Sequence, residues 1–438
     1  MKNVLPFLIL ALVLTLIPPG GSSASTSVIL LGSDVLFSQF PEVIEGKKVG
    51  LLTNVTGINS KGVSTIDMIR RDRDVTLRAL FTPENGLDGS GNGRESKTMY
   101  MHPVYGIPVY RLGGPSPVVT AHMLDEIDLL LVDFQDIGSR NDASLTSLHA
   151  VMTAGRQYDK PVVVLDRPNP LGALEVGGPG AQPPFETRAG WAGLPMAHGM
   201  TIGELARYFH REIGGDLTVI PMAGYSRSMT FPETGLGWIP PSASFSSLPA
   251  VLGYMATGLT TGTGLQHAED FSWVGGVGIN SAQFADSLNG SLLPGVVFFP
   301  EDRNGAGGVT LKIIEPRQFQ PAKTGLYVLA SAARLTNSRI LPASGDQAAA
   351  FDQSMGNGMI RQWLMQGTSP QELEQALAPQ LESFLASRKP YLIYDEEEPY
   401  YPSQPISSGI GKTQASRQEV AAGPTREDRA TQPNTPTN

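Results

Sequence analysis

The sequence predicts an α/β fold in which a parallel sheet is followed by a smaller α+β domain. Two observations lead there. From residue 28 to 221, apolar runs suited to buried strands alternate with helical stretches at the spacing of βαβ units. Three of those runs also end in acidic residues. Val75 to Phe81 runs into Thr82-Pro83-Glu84-Asn85-Gly86, Leu129 to Val132 into Asp133-Phe134-Gln135-Asp136, and Val162 to Leu165 into Asp166-Arg167-Pro168-Asn169-Pro170. Ligands of open α/β sheets bind outside the carboxyl ends of the strands, so polar groups at these exits are the first candidates for function.

In chain order, Val28 to Leu31 and Val49 to Thr53 read as strands around an amphipathic segment from Asp34 to Ile44. Ser64 to Arg71 reads as a helix, Val75 to Phe81 as a strand, Thr120 to Glu126 as a short helix and Asp128 to Phe134 as a strand. A helix from Leu145 to Tyr158 and a strand from Val162 to Leu165 follow. Thr201 with Glu204 three residues on forms a capping box that opens a helix to Ile213, and Leu217 to Pro221 closes the alternation. After Gly224, glycine, serine and proline punctuate the chain. Helices over 325–335 and 371–388 and strands over 296–299 and 309–314 give the smaller domain, 225–388, after an N-terminal domain over 25–224. Beyond Tyr394 an acidic run and a tail of Ser, Thr, Gln, Pro and Asn lack apolar residues, so 395–438 is expected to be disordered.

Composition narrows the function. The chain has 438 residues, 41% hydrophobic, and a net charge of −9, which argues against nucleic acid and anionic membrane surfaces as partners. With no cysteine it can form neither disulfides nor zinc-thiolate sites. Lys2, the apolar stretch Val4 to Ile17 and small residues up to Ala24 match a secretory signal, residues 1–24. The apolar run is short for a membrane span, so a secreted or periplasmic protein without a stable membrane span is expected after cleavage.

Several constellations could carry chemistry. Glu84 stands on a strand exit ahead of Gly86, Gly89, Gly91 and Gly93, where a carboxyl group can approach a ligand and act as a general acid. It could equally cap backbone amides of a turn. Asp133, Asp136 and Arg140 read first as a structural ion-pair network, and Asp166-Arg167-Pro168-Asn169-Pro170 as a rigid loop. His198, just before a helix, would be kept neutral by the helix dipole as a hydrogen-bonding group, or simply be a packing histidine. Trp191, Trp238 and Trp273 could stack on sugar rings or be core. No dinucleotide, P-loop or serine-elbow signature is present, and the histidines lack metal-ligand spacing, so neither cofactor nor metal is expected.

Four motifs occurring in order give the chain a family resemblance. They are 81–89 (Phe-Thr-Pro-Glu-Asn-Gly-Leu-Asp-Gly), 133–140 (Asp-Phe-Gln-Asp-Ile-Gly-Ser-Arg), 164–170 (Val-Leu-Asp-Arg-Pro-Asn-Pro) and 195–206 (Pro-Met-Ala-His-Gly-Met-Thr-Ile-Gly-Glu-Leu-Ala). Together with Asn54 to Gly57, Trp238 to Ser242 and Leu293 to Val296, they resemble the NamZ-type exo-β-N-acetylmuramidases. The resemblance implies a Rossmann-like N-terminal domain and a glycosidase that removes a terminal amino sugar, N-acetylmuramic acid or a relative, from peptidoglycan fragments or muropeptides. It implies Glu84 as catalytic acid, with Asp133 or Asp136 assisting, and Asn85, Gln135, Arg140, Asp166, Arg167, Asn169 and His198 as substrate-binding residues. Departures are equally visible. Asn85 replaces the family's histidine, Asn141 to Ser144 replace an aromatic run, and Thr261 to Asp270 lack the charged clamp expected for the lactyl carboxylate. Weak selectivity for muramic acid follows, and a glycan-binding protein with lost or altered chemistry is the alternative. Cleavage of the signal predicts a mature chain beginning near Ser25, and an intact Met1 in mass spectra of exported protein would overturn it.

Overall fold

The structure is a computed structural model that describes residues 28–114, 116–185 and 192–408. The expected signal segment, Trp191 and the end of the tail lie outside the described residues. Six parallel strands form the centre of the larger sheet: β1 (Lys48–Thr53), β2 (Thr76–Pro83), β4 (Pro108–Leu112), β5 (Leu129–Asp133), β6 (Val162–Leu165) and β9 (Leu217–Ile220). Antiparallel β3 (Met99–Met101) and β14 (Ile406–Ser407) edge them, giving the order β14-β9-β6-β5-β1-β2-β4-β3. β1 pairs with both β2 and β5, so the exits of β2, β1, β5 and β6 stand side by side.

Helices cover both faces. On one face α1 (Gly32–Gln39) and α2 (Thr65–Arg71) bury Val35, Leu36 and Ile69 against Leu51, Leu80 and Leu131. On the other, α3 (Ala143–Gln157) and α4 (Ile202–Ile213) bury Leu148, Val151, Leu205 and Phe209 against Leu52, Leu130 and Val164. Strands buried on both faces need continuous apolar sequence, which is why β5 reads Leu-Leu-Leu-Val. The expected capping box is present: Thr201 accepts from the Glu204 amide, and the Glu204 carboxylate accepts from the Thr201 amide.

The second core belongs to the C-terminal part. A sheet ordered β10-β11-β13-β12 comprises β10 (Leu265–His267), β11 (Trp273–Gly276), β12 (Val296–Pro300) and β13 (Gly307–Ile313). Around it lie α5 (Leu248–Thr257), α6 (Ser281–Gly290), α7 (Pro321–Leu335), α8 (Gly345–Met355), α9 (Gly358–Met365) and α10 (Pro370–Arg388). The hairpin β7 (Gly177–Gly180) and β8 (Pro195–Ala197) joins the parts, placing Met196 and Ala197 in the C-terminal core.

Two expectations are corrected. Val28 to Leu31 is not a strand; Leu30 makes a single bridge to Ala223, and α1 begins at once. Residues 395–408 of the expected disordered tail are instead laid onto the larger sheet. The Asp395 and Glu396 carbonyls accept from Arg227 and Ser228, Tyr400 exchanges hydrogen bonds with Gly224 and Tyr225, and β14 pairs with β9. These are backbone interactions, which composition does not report. A chain ending at Tyr394 is therefore expected to melt about 2 °C or more below one ending at Ser408, since losing several such bonds removes about 2 kcal/mol or more. Equal melting temperatures would refute the role of this segment.

Candidate active site

The carboxyl edge is organised from Asp133, the last residue of β5. Its Oδ1 accepts from Arg167 Nε at 2.7 Å, and its Oδ2 accepts from the Thr65 hydroxyl on α2. Arg167 leaves β6, and its Nη2 donates to the Ile58 carbonyl at 2.5 Å. Gln135 is fixed alongside, its amide N–H donating to Thr56 Oγ1 at 2.7 Å and its Nε2 to the Pro168 carbonyl at 2.8 Å. Arg167 and Gln135 line a cavity of about 210 Å³ that Ile58, Asn59, Phe231 and Trp238 help to enclose.

Glu84 is the first residue after β2, half-buried, with Asn85 exposed beside it. Arg111, on β4 beside β2, donates from Nη1 to the Glu84 carbonyl at 3.2 Å. The glycines that follow take positive φ. At Gly89 (φ 74°) an added Cβ would lie 2.6 Å from the Pro241 carbonyl oxygen, so only glycine lets the Glu84 loop lie against the segment that leads from Trp238 and Ile239 at the cavity wall.

Behind this edge lie groups with no exposure. Asp136 accepts from the Gly138 amide at 2.9 Å, and its Oδ2 is 3.8 Å from His198 Nε2, which has no hydrogen-bond partner among the described residues. Burial, reinforced by Asp142, pushes the Asp136 carboxyl up to about 8. Burial and the Arg388 charge push His198 down to about 3. Because His198 Nδ1 accepts from the Met200 amide at 3.2 Å, the neutral ring carries its proton on Nε2, toward Asp136. Asp166 accepts from the Arg167 and Gly203 amides and from the Thr201 and Tyr394 hydroxyls, and burial pushes it up to about 7. Asn169 is tied to the Met200 carbonyl and the Leu171 amide. Arg140 donates to the carbonyls of Pro179, Leu194, Ser354 and Met355, pinning the C-terminal part to β7 and β8, and burial lowers its pKa to about 10.

Comparison with known proteins follows this architecture. The family model for the N-terminal part of the exo-beta-N-acetylmuramidase NamZ matches residues 49–249, and that for its C-terminal part matches residues 252–394. The chain belongs to this family. The peptidoglycan beta-N-acetylmuramidase NamZ of Bacillus subtilis (strain 168) is 34% identical over 380 residues, 83% of this chain and 91% of that protein. A DUF1343 family protein of Bacteroides fragilis NCTC 9343 superposes with a TM-score of 0.76 at 28% identity, over 84% of this chain and 99% of that one. A second from the same organism, at 23% identity and TM-score 0.65, over 85% of this chain and 100% of that one, shares the fold. As a NamZ-family member the chain is a glycoside hydrolase of the exo-β-N-acetylmuramidase type.

Set beside the NamZ resemblance, the geometry corrects several residue roles. Asp133 has both oxygens occupied and is 1% exposed, and Asp136 is fully buried, so neither stands open as a second catalytic carboxylate. Arg140, Asp166, Asn169 and His198 are buried on protein partners or against protein, behind the open edge. His198 is neutral as expected, but from burial and Arg388 rather than from a helix dipole. Glu84, Asn85, Gln135 and Arg167 remain at or beside the open edge. In the NamZ motif region lacking the charged clamp, Asp270 accepts from Ser272, while Arg303 pairs with Glu301 and lies over Trp273. Sequence reasoning missed Thr65 and Arg111. Neither lies in a motif; only the alternation of strands, which brings α2 and β4 to this edge, could have pointed to them.

The buried acids give the enzyme a pH signature. A carboxyl whose folded pKa exceeds its unfolded value holds its proton more tightly when folded. Its stabilising contribution is complete below about pH 4 and is lost as pH rises through about 8. Asp136 contributes this way, as do Asp166 and Glu175, the last pushed up to about 7. His198 has the opposite sense: its depressed pKa favours the folded state above about 6.5, and that contribution is lost as pH falls toward 3. Unfolding free energy is thus expected to decline from about pH 4.5 to 8, the three carboxyls outweighing the single histidine, and less steeply in Asp136→Asn, whose side chain never ionises. Denaturant melts across that range check this, and identical slopes in the two proteins would contradict it.

Proposed function

We propose that the protein removes a terminal N-acetylmuramic acid or closely related amino sugar from peptidoglycan fragments, with Glu84 as the general acid, and that it does so after export. The observation carrying this reading is the place of Glu84: half-buried, at the exit of β2, on the edge that also bears the cavity. The peptidoglycan beta-N-acetylmuramidase activity for which the Bacillus subtilis relative is named supports the substrate class. For export the support is the N-terminal sequence pattern; among the described residues no helix is long and apolar enough to cross a membrane.

In this reading Glu84 gives its proton to the glycosidic oxygen as the bond from that oxygen to the anomeric carbon breaks, the electron pair staying on the oxygen. Water adds to the anomeric carbon, and the proton it releases returns to the Glu84 carboxylate. Asp133 and Asp136 take no part. Their partners hold the floor beneath the reaction, and no step requires them to gain or lose a proton.

Purified protein incubated with a chromogenic β-N-acetylmuraminide is expected to release the chromophore. Glu84→Gln keeps the side-chain shape and removes the transferable proton, so turnover should fall about 100-fold or more with melting temperature near wild type. If Glu84 only caps its turn, the substitution instead costs about 1 kcal/mol of stability and leaves activity intact. That outcome, or no hydrolysis by the wild type, would overturn the assignment.

A further inference from the structure

Glu84 opens a loop rich in conformational choice. It is the first residue past β2, and Gly86, Gly89 and Gly91 soon follow with φ of 78°, 74° and 65°. A general acid needs the opposite, because its carboxyl must stand within about 3 Å of the oxygen that receives the proton. Two backbone bonds shape the loop, from the Gly86 amide to the Pro83 carbonyl at 3.0 Å and from the Gly91 amide to the Asn85 carbonyl at 2.8 Å. Both flank Glu84 without holding its own carbonyl.

The group that does so comes from the neighbouring strand. β4 runs parallel to β2 with Arg111 opposite Thr82 and Leu112 opposite Pro83, so Arg111 stands beside β2 just before the chain leaves the sheet. Its own amide donates to the Thr98 carbonyl at 2.9 Å, which ties its backbone to the segment entering β3. From there Nη1 reaches the Glu84 carbonyl at 3.2 Å. The same nitrogen lies 3.4 Å, and Glu84 Cγ 3.5 Å, from the point that a Cβ on Gly113 would occupy. One edge of the guanidinium therefore borders both the peptide and the side chain of the acid. Arg140 and Arg167 spread their donors over several protein acceptors, but Arg111 does not. Among the described residues its side chain donates to Glu84 alone, and its buried Nε has no partner. A buried donor left unpaired is destabilising, so stability by itself does not account for an arginine here.

We infer that Arg111 is the positioning residue of the general acid: by donating to the Glu84 carbonyl it fixes the direction in which the carboxyl leaves the loop, and its effect on the reaction passes through Glu84. The inference rests on the reading of Glu84 as the acid. Its consequence depends on the leaving group. A weakly acidic phenol departs only as it receives the Glu84 proton, whereas dinitrophenolate carries away the electron pair of the broken bond unprotonated. Loosened positioning therefore slows the first reaction and spares the second. It does so in kcat rather than KM, because the contact matters in the transition state and not in sugar binding. General damage to the fold slows both alike.

The test compares kcat and KM on phenyl and dinitrophenyl β-N-acetylmuraminides for wild type, Arg111→Met, Arg111→Lys and Glu84→Gln. Methionine keeps the apolar stem and removes the donor, so Arg111→Met is expected to lose about tenfold or more in kcat on the phenyl glycoside relative to the dinitrophenyl glycoside, with KM within about twofold of wild type. Lysine keeps a charged donor on a shorter stem, so Arg111→Lys is expected to recover most of that loss and retain a selective deficit of about threefold. If Arg111→Met does not fold, Arg111→Lys carries the test: the selective deficit supports the role, and equal effects on both glycosides refute it. Glu84→Gln separates the two layers. Where Glu84→Gln shows the selective loss but folded Arg111→Met slows both glycosides alike or neither, Arg111 has no positioning role and Glu84 stands as the acid. Where Glu84→Gln itself slows both alike or neither, the acid lies elsewhere and the inference falls with it.

Discussion

The open edge of the larger sheet depends on one buried ion pair. Asp133 and Arg167 come from adjacent strands, β5 and β6, and meet at 2.7 Å with almost no exposure. Taking both charges out of water is costly, and such a pair is tolerated only when the remaining donors and acceptors are satisfied. Here Thr65 on α2 fills the second Asp133 oxygen, and the Ile58 carbonyl takes a second Arg167 arm. The pair therefore joins two strand exits, one helix and the loop after β1. Every wall residue of the cavity that follows β1, β5 or β6 is placed with reference to it.

A second set of buried carboxylates fixes the other end of the edge. Asp166 and Glu204 both serve the start of α4, where unpaired amides favour acceptors. Each also reaches a distant part of the chain: Asp166 accepts from the Tyr394 hydroxyl, and Glu204 pairs with Arg227 at 2.6 Å and accepts from the Ile393 amide. This is why the chain beyond α10 does not drift away from the sheet. Once Ile393 and Tyr394 are seated, Asp395 to Tyr400 follow along residues 224–228 and deliver β14 to the edge of β9. An acidic, proline-rich composition argues against a segment making its own core, but not against one carried onto another by backbone pairing.

That difference explains what the sequence made legible. The central strands were, because a strand buried on both faces must be apolar from end to end, and the capping box of α4 is a purely local device. β7, whose sequence is Gly-Gly-Pro-Gly, has no strand propensity and exists because β8 and the Arg140 guanidinium hold it, so nothing local could reveal it. α8 and α9 are short and escaped for a similar reason, since each is stabilised chiefly by Phe351, Met355, Ile360 and Leu364 entering the C-terminal core. For the site, the motifs marked the right strand exits. They could not separate Glu84 from Asp133, since that depends on Thr65 and Arg167 lying against one carboxylate and not against the other.

The same reasoning bears on how a divergent member of a family can keep its chemistry while its motifs erode. A motif on a loop of the C-terminal part is free to change when its partners are few, as between Thr261 and Asp270, where Thr263 and His267 bond nearby backbone and Asp270 accepts from Ser272. Arg167 has no such freedom. It is held by the ion pair that the sheet edge requires, so any change that removes its charge also leaves Asp133 buried without a counter-ion. A function placed on a residue the fold cannot relinquish is protected by the fold itself.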